Sequence, residues 1–145
     1  MIGLSDANAV DIKPLKKSYT VAGKQITFET GKLCLLTQGS VVMSDDQGNV
    51  LMVTAGFNEH PSNPQADFFP LVVDYTEKYY ANGKVGGNRF MKREGRPSEV
   101  ATLTSRMIDR PIRPMFPKGI INDTQIIATT MSSDGERDMG AWGIT

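Results

Sequence analysis

Residues 84–118 read KVGGNRFMKREGRPSEVATLTSRMIDRPIRPMFPK, and two signals within them set the fold class. The first is a change of period. From Ser98 onward Val100, Leu103 and Met107 recur at three- and four-residue spacing, with Thr104 and Ile108 widening or flanking that stripe, as in one amphipathic helix. Pro97 suits a first helical turn, and Glu99 sits where the helix dipole favours an acid. Pro111 cannot continue the hydrogen bonding, so the helix is expected to stop by Arg110. Arg106 and Arg110 then project from one side, a turn apart, and Arg113, between Ile112 and Pro114, extends that surface. The second signal is charge. The segment carries nine of the chain's sixteen basic residues, most of them Arg, against three acidic ones, although the whole chain has formal net charge +0. Its surplus of about +6 is offset by −3 on residues 1–83 and −3 on residues 119–145. Such a field attracts phosphate, and the planar donor fork of Arg matches phosphate oxygens.

Upstream the period is two. KSYTVAGKQITFE (17–29) alternates around Tyr19, Val21, Ile26 and Phe28 with Ala22-Gly23-Lys24 between the halves, a hairpin signal. A second pair, 40–44 and 50–57, is joined by Asp45-Asp46-Gln47-Gly48-Asn49, whose residues tolerate a tight turn. VLMVTAGF (50–57) is nearly continuously apolar, as a central strand covered on both faces would be. FFPLVVDYTEKYY (68–80) alternates again, and TQIIATTM (124–131) reads as a further strand. Five or six strands around one clear helix predict an α+β domain with mainly antiparallel sheet and a packed helix. Residues 1–16 read as an irregular N-terminal arm.

The remaining composition excludes more than it assigns. A chain of 145 residues, 39% hydrophobic and 22% charged, is one domain's worth of ordinary globular sequence. No stretch approaches the roughly eighteen apolar residues of a membrane span, and the start lacks a basic-then-apolar leader, so the expected address is cytoplasmic with no membrane partner. Cys34 is the single cysteine, which excludes an intrachain disulfide and a multi-cysteine metal site. Flanked by Leu33, Leu35 and Leu36, it reads as a buried thiol. His60, the sole histidine, lies in the polar loop NEHPSNPQ and reads as a loop side chain. The end at DMGAWGIT, with Trp142 and Ile144 apolar and no polar tail, reads as an interrupted domain at least as readily as a natural terminus.

The blocks ETGKL, GSVV and VLMVTAG, then ADFFPLVVDYTEKYYANGKV, KREGRPSE and RMIDRPIRPMFPKG, occur in one order along the chain. Together they resemble the first RNase PH-like core domain of polynucleotide phosphorylase, over roughly residues 17–133. The resemblance implies an RNase PH-like fold (ribosomal protein S5 domain 2-like), with residues 17–145 forming a partial first core domain. It implies a phosphate-dependent 3′-to-5′ exoribonuclease that releases nucleoside diphosphates and runs in reverse as a polymerase. It further implies a homotrimeric ring, a second RNase PH-like core domain, single-stranded RNA as substrate and partners in RNA-degradation complexes. Mg2+ and inorganic phosphate belong mainly to that second domain. No catalytic or metal-binding residue is therefore expected in these 145 residues, nor independent phosphorolysis.

The family pattern transfers to particular positions. Residues 88–93 match a loop at the neck of the channel, usually two aromatics followed by two basic residues. By that match Phe90 stacks on a base, Lys92 and Arg93 hold phosphates, and Arg96 lies beside the same path. Met91 stands at the second aromatic position and Lys92 at a basic one, a departure that weakens stacking and bidentate pairing but keeps charge. A core position under the loop is the competing reading for Phe90. Arg89, Arg106, Arg110 and Arg113 either guide RNA or order an interface, and Asp109 is placed to pair with Arg110 or Arg113. Glu94 and Glu99 read as anchors for arginines rather than acid–base catalysts. Cys34-Leu35-Leu36 and the turn at 45–49 depart from the family pattern, which points to altered packing and a reshaped hairpin. The rival reading is a non-catalytic RNA-binding or structural subunit of an exosome-like ring.

Overall fold

The computed structural model describes residues 13–86, 95–136 and 138–145. Strands β1 (Leu15–Val21) and β2 (Lys24–Thr30) form the first hairpin, in register from Leu15 opposite Thr30 to Val21 opposite Lys24. Ala22 and Gly23 both take positive φ, 50° and 76°, which matches the turn to the twist of the strands. Strands β3 (Gly39–Asp45) and β4 (Val50–Phe57) form the second. In its turn the Asp45 carboxylate accepts from the amides of Gln47 (3.0 Å) and Asn49 (2.8 Å), and Gly48 supplies φ 86°.

Asn49 is fully buried and makes that turn part of the core boundary. Its side-chain amide donates to Asp45 Oδ2 (3.1 Å) and Asp134 Oδ2 (2.9 Å), and its Oδ1 accepts from the Asp134 amide (2.7 Å). Those bonds tie the β3–β4 turn to the loop that follows β6 (Thr124–Ser132). With β5 (Leu71–Glu77), the strands form one sheet in the order β1-β2-β3-β4-β6-β5. Every neighbouring pair is antiparallel except β5 and β6, which run parallel from Leu71 opposite Thr124 to Glu77 opposite Thr130. The α+β architecture with a mainly antiparallel sheet is therefore the observed one. β4 is central in the order, but it is not covered on both faces: only Leu51 of its residues is fully buried.

Helix α1 (Glu99–Ile112) packs on β5. Ser98 is its N-cap and accepts from the Ala101 amide at 3.0 Å, which satisfies one of the donors every helix start leaves open. Pro97 thus precedes the cap instead of occupying the first turn. The helix also continues past Arg110, with Pro111 inside its last turn. Only one donor is lost there, and the Arg113 amide still bonds Asp109 O. The expected apolar stripe is on the outside: Val100, Leu103 and Met107 are 64%, 66% and 41% exposed, whereas Ala101, Thr104 and Ile108 are buried. Small residues on the inner face let the helix sit close to its neighbours. A Cβ on Gly143 would lie 2.5 Å from Ile108 Cδ1, and one on Gly140 would lie 2.5 Å from Thr104 Cγ2.

The core gathers Leu51, Tyr75, Ala101, Ile108, Ala128 and Met139, with Val53, Val73, Ile112 and Trp142 against it. Tyr75 is 2% exposed, yet its hydroxyl donates to Glu77 Oε1 (2.9 Å) and lies 3.3 Å from Thr130 Oγ1. Cys34 is half-buried rather than buried, at φ 55°, with Sγ 3.5 Å from Met52 Sδ. Its flanking Leu33, Leu35 and Leu36 are exposed, because the chain there bends away from the sheet instead of pairing with it. His60 is exposed on its loop. Among the described residues, no helix is long and apolar enough to cross a membrane.

Replacing Asn49 by Ala removes its three side-chain hydrogen bonds to Asp45 and Asp134 at a part-buried site. The expected cost is about 1–3 kcal/mol, read as a lower urea midpoint with unchanged slope. Burial, then the neighbouring Glu77 carboxylate, push the Tyr75 phenol above its ordinary 10.0, while the Thr130 hydrogen bond works against that rise. Because the folded value is the higher one, the stabilisation is complete below the unfolded phenol pKa and is lost as pH rises beyond it. Stability should therefore decline above about pH 10, and Tyr75→Phe should flatten that limb of a pH series of denaturation midpoints.

Candidate nucleic-acid interface

The basic segment lies within the connection from β5 to β6. Its entry is held by contacts the charge pattern does not reveal. A 3-10 turn at Tyr79–Asn82 ends on Gly83, which takes the left-handed φ of 65°. The turn is joined to the end of β6 by the Ser133 amide, which donates to Ala81 O at 3.0 Å. Gly86 then packs so closely on the Tyr79 ring that a Cβ there would fall among the ring atoms. Only glycine fits without displacing the ring, so the backbone leaves the sheet at a fixed point. Arg89, Phe90, Lys92 and Arg93, together with Met91 and Glu94, lie outside the described residues. Arg96 follows that stretch, exposed and just ahead of the Ser98 cap.

The three helix-end arginines are not equivalent. Arg113 turns inward to the chain: Nε and Nη2 donate to the two Asp109 carboxylate oxygens (3.2 and 2.9 Å). Nη1 donates to Phe69 O (3.0 Å) and Nη2 to Leu71 O (3.0 Å). A planar fork suits this combination of a carboxylate and two carbonyls. The Phe69 and Phe116 rings, 4.8 Å apart and tilted by 45°, close the same corner. Asp109 thus pairs with Arg113, the second of its two candidate partners.

Arg106 and Arg110 are exposed on the outward side of the helix and make no ion pair or hydrogen bond among the described residues. An open groove is lined there by Leu103, Arg106, Met107, Asp109 and Arg110. Glu99 is exposed at the first turn and makes no ion pair among the described residues. The structure therefore brings Arg106 and Arg110 together, leaves Arg96 exposed ahead of the helix, and places Arg113 in a structural joint.

Sequence reading missed the Tyr79–Gly86 contact and the Arg113 joint. For Arg113 the signal was the pair of motifs DFFP and RPMFP, whose phenylalanines meet; for Gly86 it was a glycine following a double tyrosine. Among the described residues, no three His, Cys, Asp or Glu side chains come together as metal ligands.

Comparison with known proteins agrees with this architecture. Residues 22–143 match the model of the 3′ exoribonuclease family, domain 1. The chain is 49% identical over 130 residues to a polyribonucleotide nucleotidyltransferase of Moorella thermoacetica, covering 90% of this chain and 17% of that protein. It is 48% identical over 122 residues to the protein of that name in Ruthia magnifica, covering 84% of this chain and 17% of that protein. A third such protein, from Koribacter versatilis, is 49% identical over 136 residues, covering 92% of this chain and 16% of that protein. The chain therefore spans about a sixth of the length of these relatives. With its mixed sheet, single packed helix and arginine-rich connection, the chain belongs to the 3′ exoribonuclease family as an RNase PH-like domain of the polynucleotide phosphorylase type.

Proposed function

We propose that this chain is the first RNase PH-like core domain of a phosphate-dependent 3′-to-5′ exoribonuclease, with residues 1–16 as an arm ahead of it. The observation that carries the reading is the match of residues 22–143 to domain 1 of the exoribonuclease family. The basic β5–β6 connection supports it physically. In this reading the segment guides single-stranded RNA and the bond is broken elsewhere. Phe90 stacks on a base, and Lys92, Arg93 and Arg96 hold successive phosphates; stacking of this kind is worth about 1–3 kcal/mol per base. Arg89 continues the basic path, while Arg106 and Arg110 serve the guide or an interface. A homotrimeric ring, a second core domain that binds Mg2+ and inorganic phosphate, RNA-degradation partners and a cytoplasmic address complete the proposal. The chemistry is attack by phosphate on the terminal phosphodiester, with release of a nucleoside diphosphate. Negative oxygens in its transition state need neutralising groups, and those belong to the other domain.

A guide acts on binding of long substrates. Replacing Lys92 and Arg93 by Ala in the full-length protein should raise KM for long RNA several-fold with little change in kcat, and leave a dinucleotide unaffected. Equal losses on both substrates would sink the guide. Electrostatic capture also predicts that the affinity lost is greatest at low salt. A second contrast separates the helix arginines. Arg113→Ala removes the joint between α1 and β5 and should cost about 1–3 kcal/mol of stability. Arg106→Ala and Arg110→Ala should stay within about 0.5 kcal/mol of the parent, all three read from denaturant midpoints.

A further inference from the structure

The 3-10 turn at the mouth of the basic connection carries two tyrosines that are held differently. Tyr80 reaches back with its hydroxyl to Met131 Sδ of β6 (3.8 Å), so its ring leans on the sheet. Tyr79 is 51% exposed and is supported from one side. A Cβ on Gly86 would fall 2.3 Å from Cγ and Cδ2 of the Tyr79 ring and 2.5 Å from Cε2, so the Gly86 backbone lies directly against that part of the ring. The main chain beneath is pinned as well. The Lys84 amide donates to Tyr79 O (3.1 Å), the Gly83 amide to Tyr80 O (2.9 Å) and the Ser133 amide to Ala81 O (3.0 Å). A half-exposed ring on a pinned turn has little freedom left to lose when a ligand covers it. Between residues 78 and 86 the only charges are Lys78 and Lys84, and Lys84 is exposed. The preceding acid, Glu77, accepts the Tyr75 hydroxyl at 2.9 Å.

We propose that Tyr79 is a base-stacking residue for single-stranded RNA, with the Lys84 ammonium taking an adjacent phosphate. The inference rests on the reading that the β5–β6 connection guides RNA, and it adds a contact on the turn that precedes the basic stretch. A ring backed by glycine and open elsewhere accepts the π face of any base, which needs no hydrogen-bond readout. The lysine supplies attraction that is equally blind to sequence. The ligand this pairing fits is an unstacked strand, because a base inside a duplex has no free face to offer a side chain. Tyr80, laid against β6, is not part of the contact.

Photo-cross-linking reads the contact on the unaltered full-length protein. Irradiated with a single-stranded 5-iodouridine oligoribonucleotide, the protein should be labelled at Tyr79, and the same strand in a duplex should not label it. Affinities supply the second readout. Tyr79→Leu keeps apolar bulk against Gly86 but removes the ring. It should weaken binding of a uridine oligomer about fivefold or more and leave an abasic oligomer of equal length unchanged. Tyr79→Trp should retain the parent affinity. Since Tyr79→Leu removes no phosphate contact, its slope of log affinity against log salt should match the parent's, whereas Lys84→Ala should make that slope shallower. Absence of label at residue 79 would overturn the inference. So would equal losses on the uridine and abasic oligomers, the result expected if Tyr79 only holds the turn or a protein partner. Full-length protein that fails to bind the uridine oligomer at all would remove the guide and this inference with it; binding without label at Tyr79 removes the inference alone.

Discussion

Strands β5 and β6 run side by side in the same direction, and parallel neighbours cannot be joined by a tight turn. The chain must leave one end of β5 and return to the other end of the sheet. That requirement creates the connection in which the 3-10 turn, the basic stretch and α1 all reside. The rest of the sheet grows by hairpins or antiparallel pairing and needs no such excursion. Both ends of the excursion are fastened. At its start, Ser133 holds the Tyr79–Asn82 turn and Tyr79 packs on Gly86. At its close, the Asn122 amide donates to Asn58 O (3.0 Å) and Glu59 O (2.9 Å), pinning the chain as it enters β6. The basic segment thus lies in a connection whose described ends are both fastened.

The same helix also treats the exposed edge of β5. An edge strand presents unpaired backbone groups that invite another chain. The Tyr75 amide donates to Ser105 Oγ at 3.0 Å, and Ser105 in turn bonds Ala101 O. Arg113 donates to Phe69 O and Leu71 O at the other end of the strand. Side chains of α1 and the turn after it thus satisfy backbone groups that no further strand takes among the described residues. This is a structural use of an arginine from the basic segment, and it explains why net charge alone could not separate guiding residues from joining ones.

Much of the fold was legible because local chemistry and global pairing agree. Ala22-Gly23 and the run from Asp45 to Asn49 mark turns by residue type, so both hairpins follow from sequence. The helix was legible as a helix but not in its rotation or its end. Periodicity sees that Val100, Leu103 and Met107 share a side; it cannot see that Ala101, Thr104 and Ile108 also share one and fit a narrower space. The end was misplaced because a proline costs little in a last turn that the Arg113 amide still closes. The parallel pairing of β5 with β6 leaves no mark on either strand. For the candidate site, the grouping of arginines was visible in sequence, whereas the division between Arg113 and its neighbours depends on carbonyls of residues 69 and 71.

The rotation of α1 is decided by charge more than by apolar area. Turning the helix by half a revolution would bury Leu103 and Met107, each worth about 1.5–3 kcal/mol if fully removed from water. Yet Arg106 and Arg110 lie on the same face and would be carried inward with them. Burying a guanidinium with no carboxylate to meet it costs several kcal/mol for each ion, and the Ser105 and Arg113 bonds to β5 would be lost as well. The observed rotation keeps both arginines in water and accepts an exposed aliphatic stripe as the consequence.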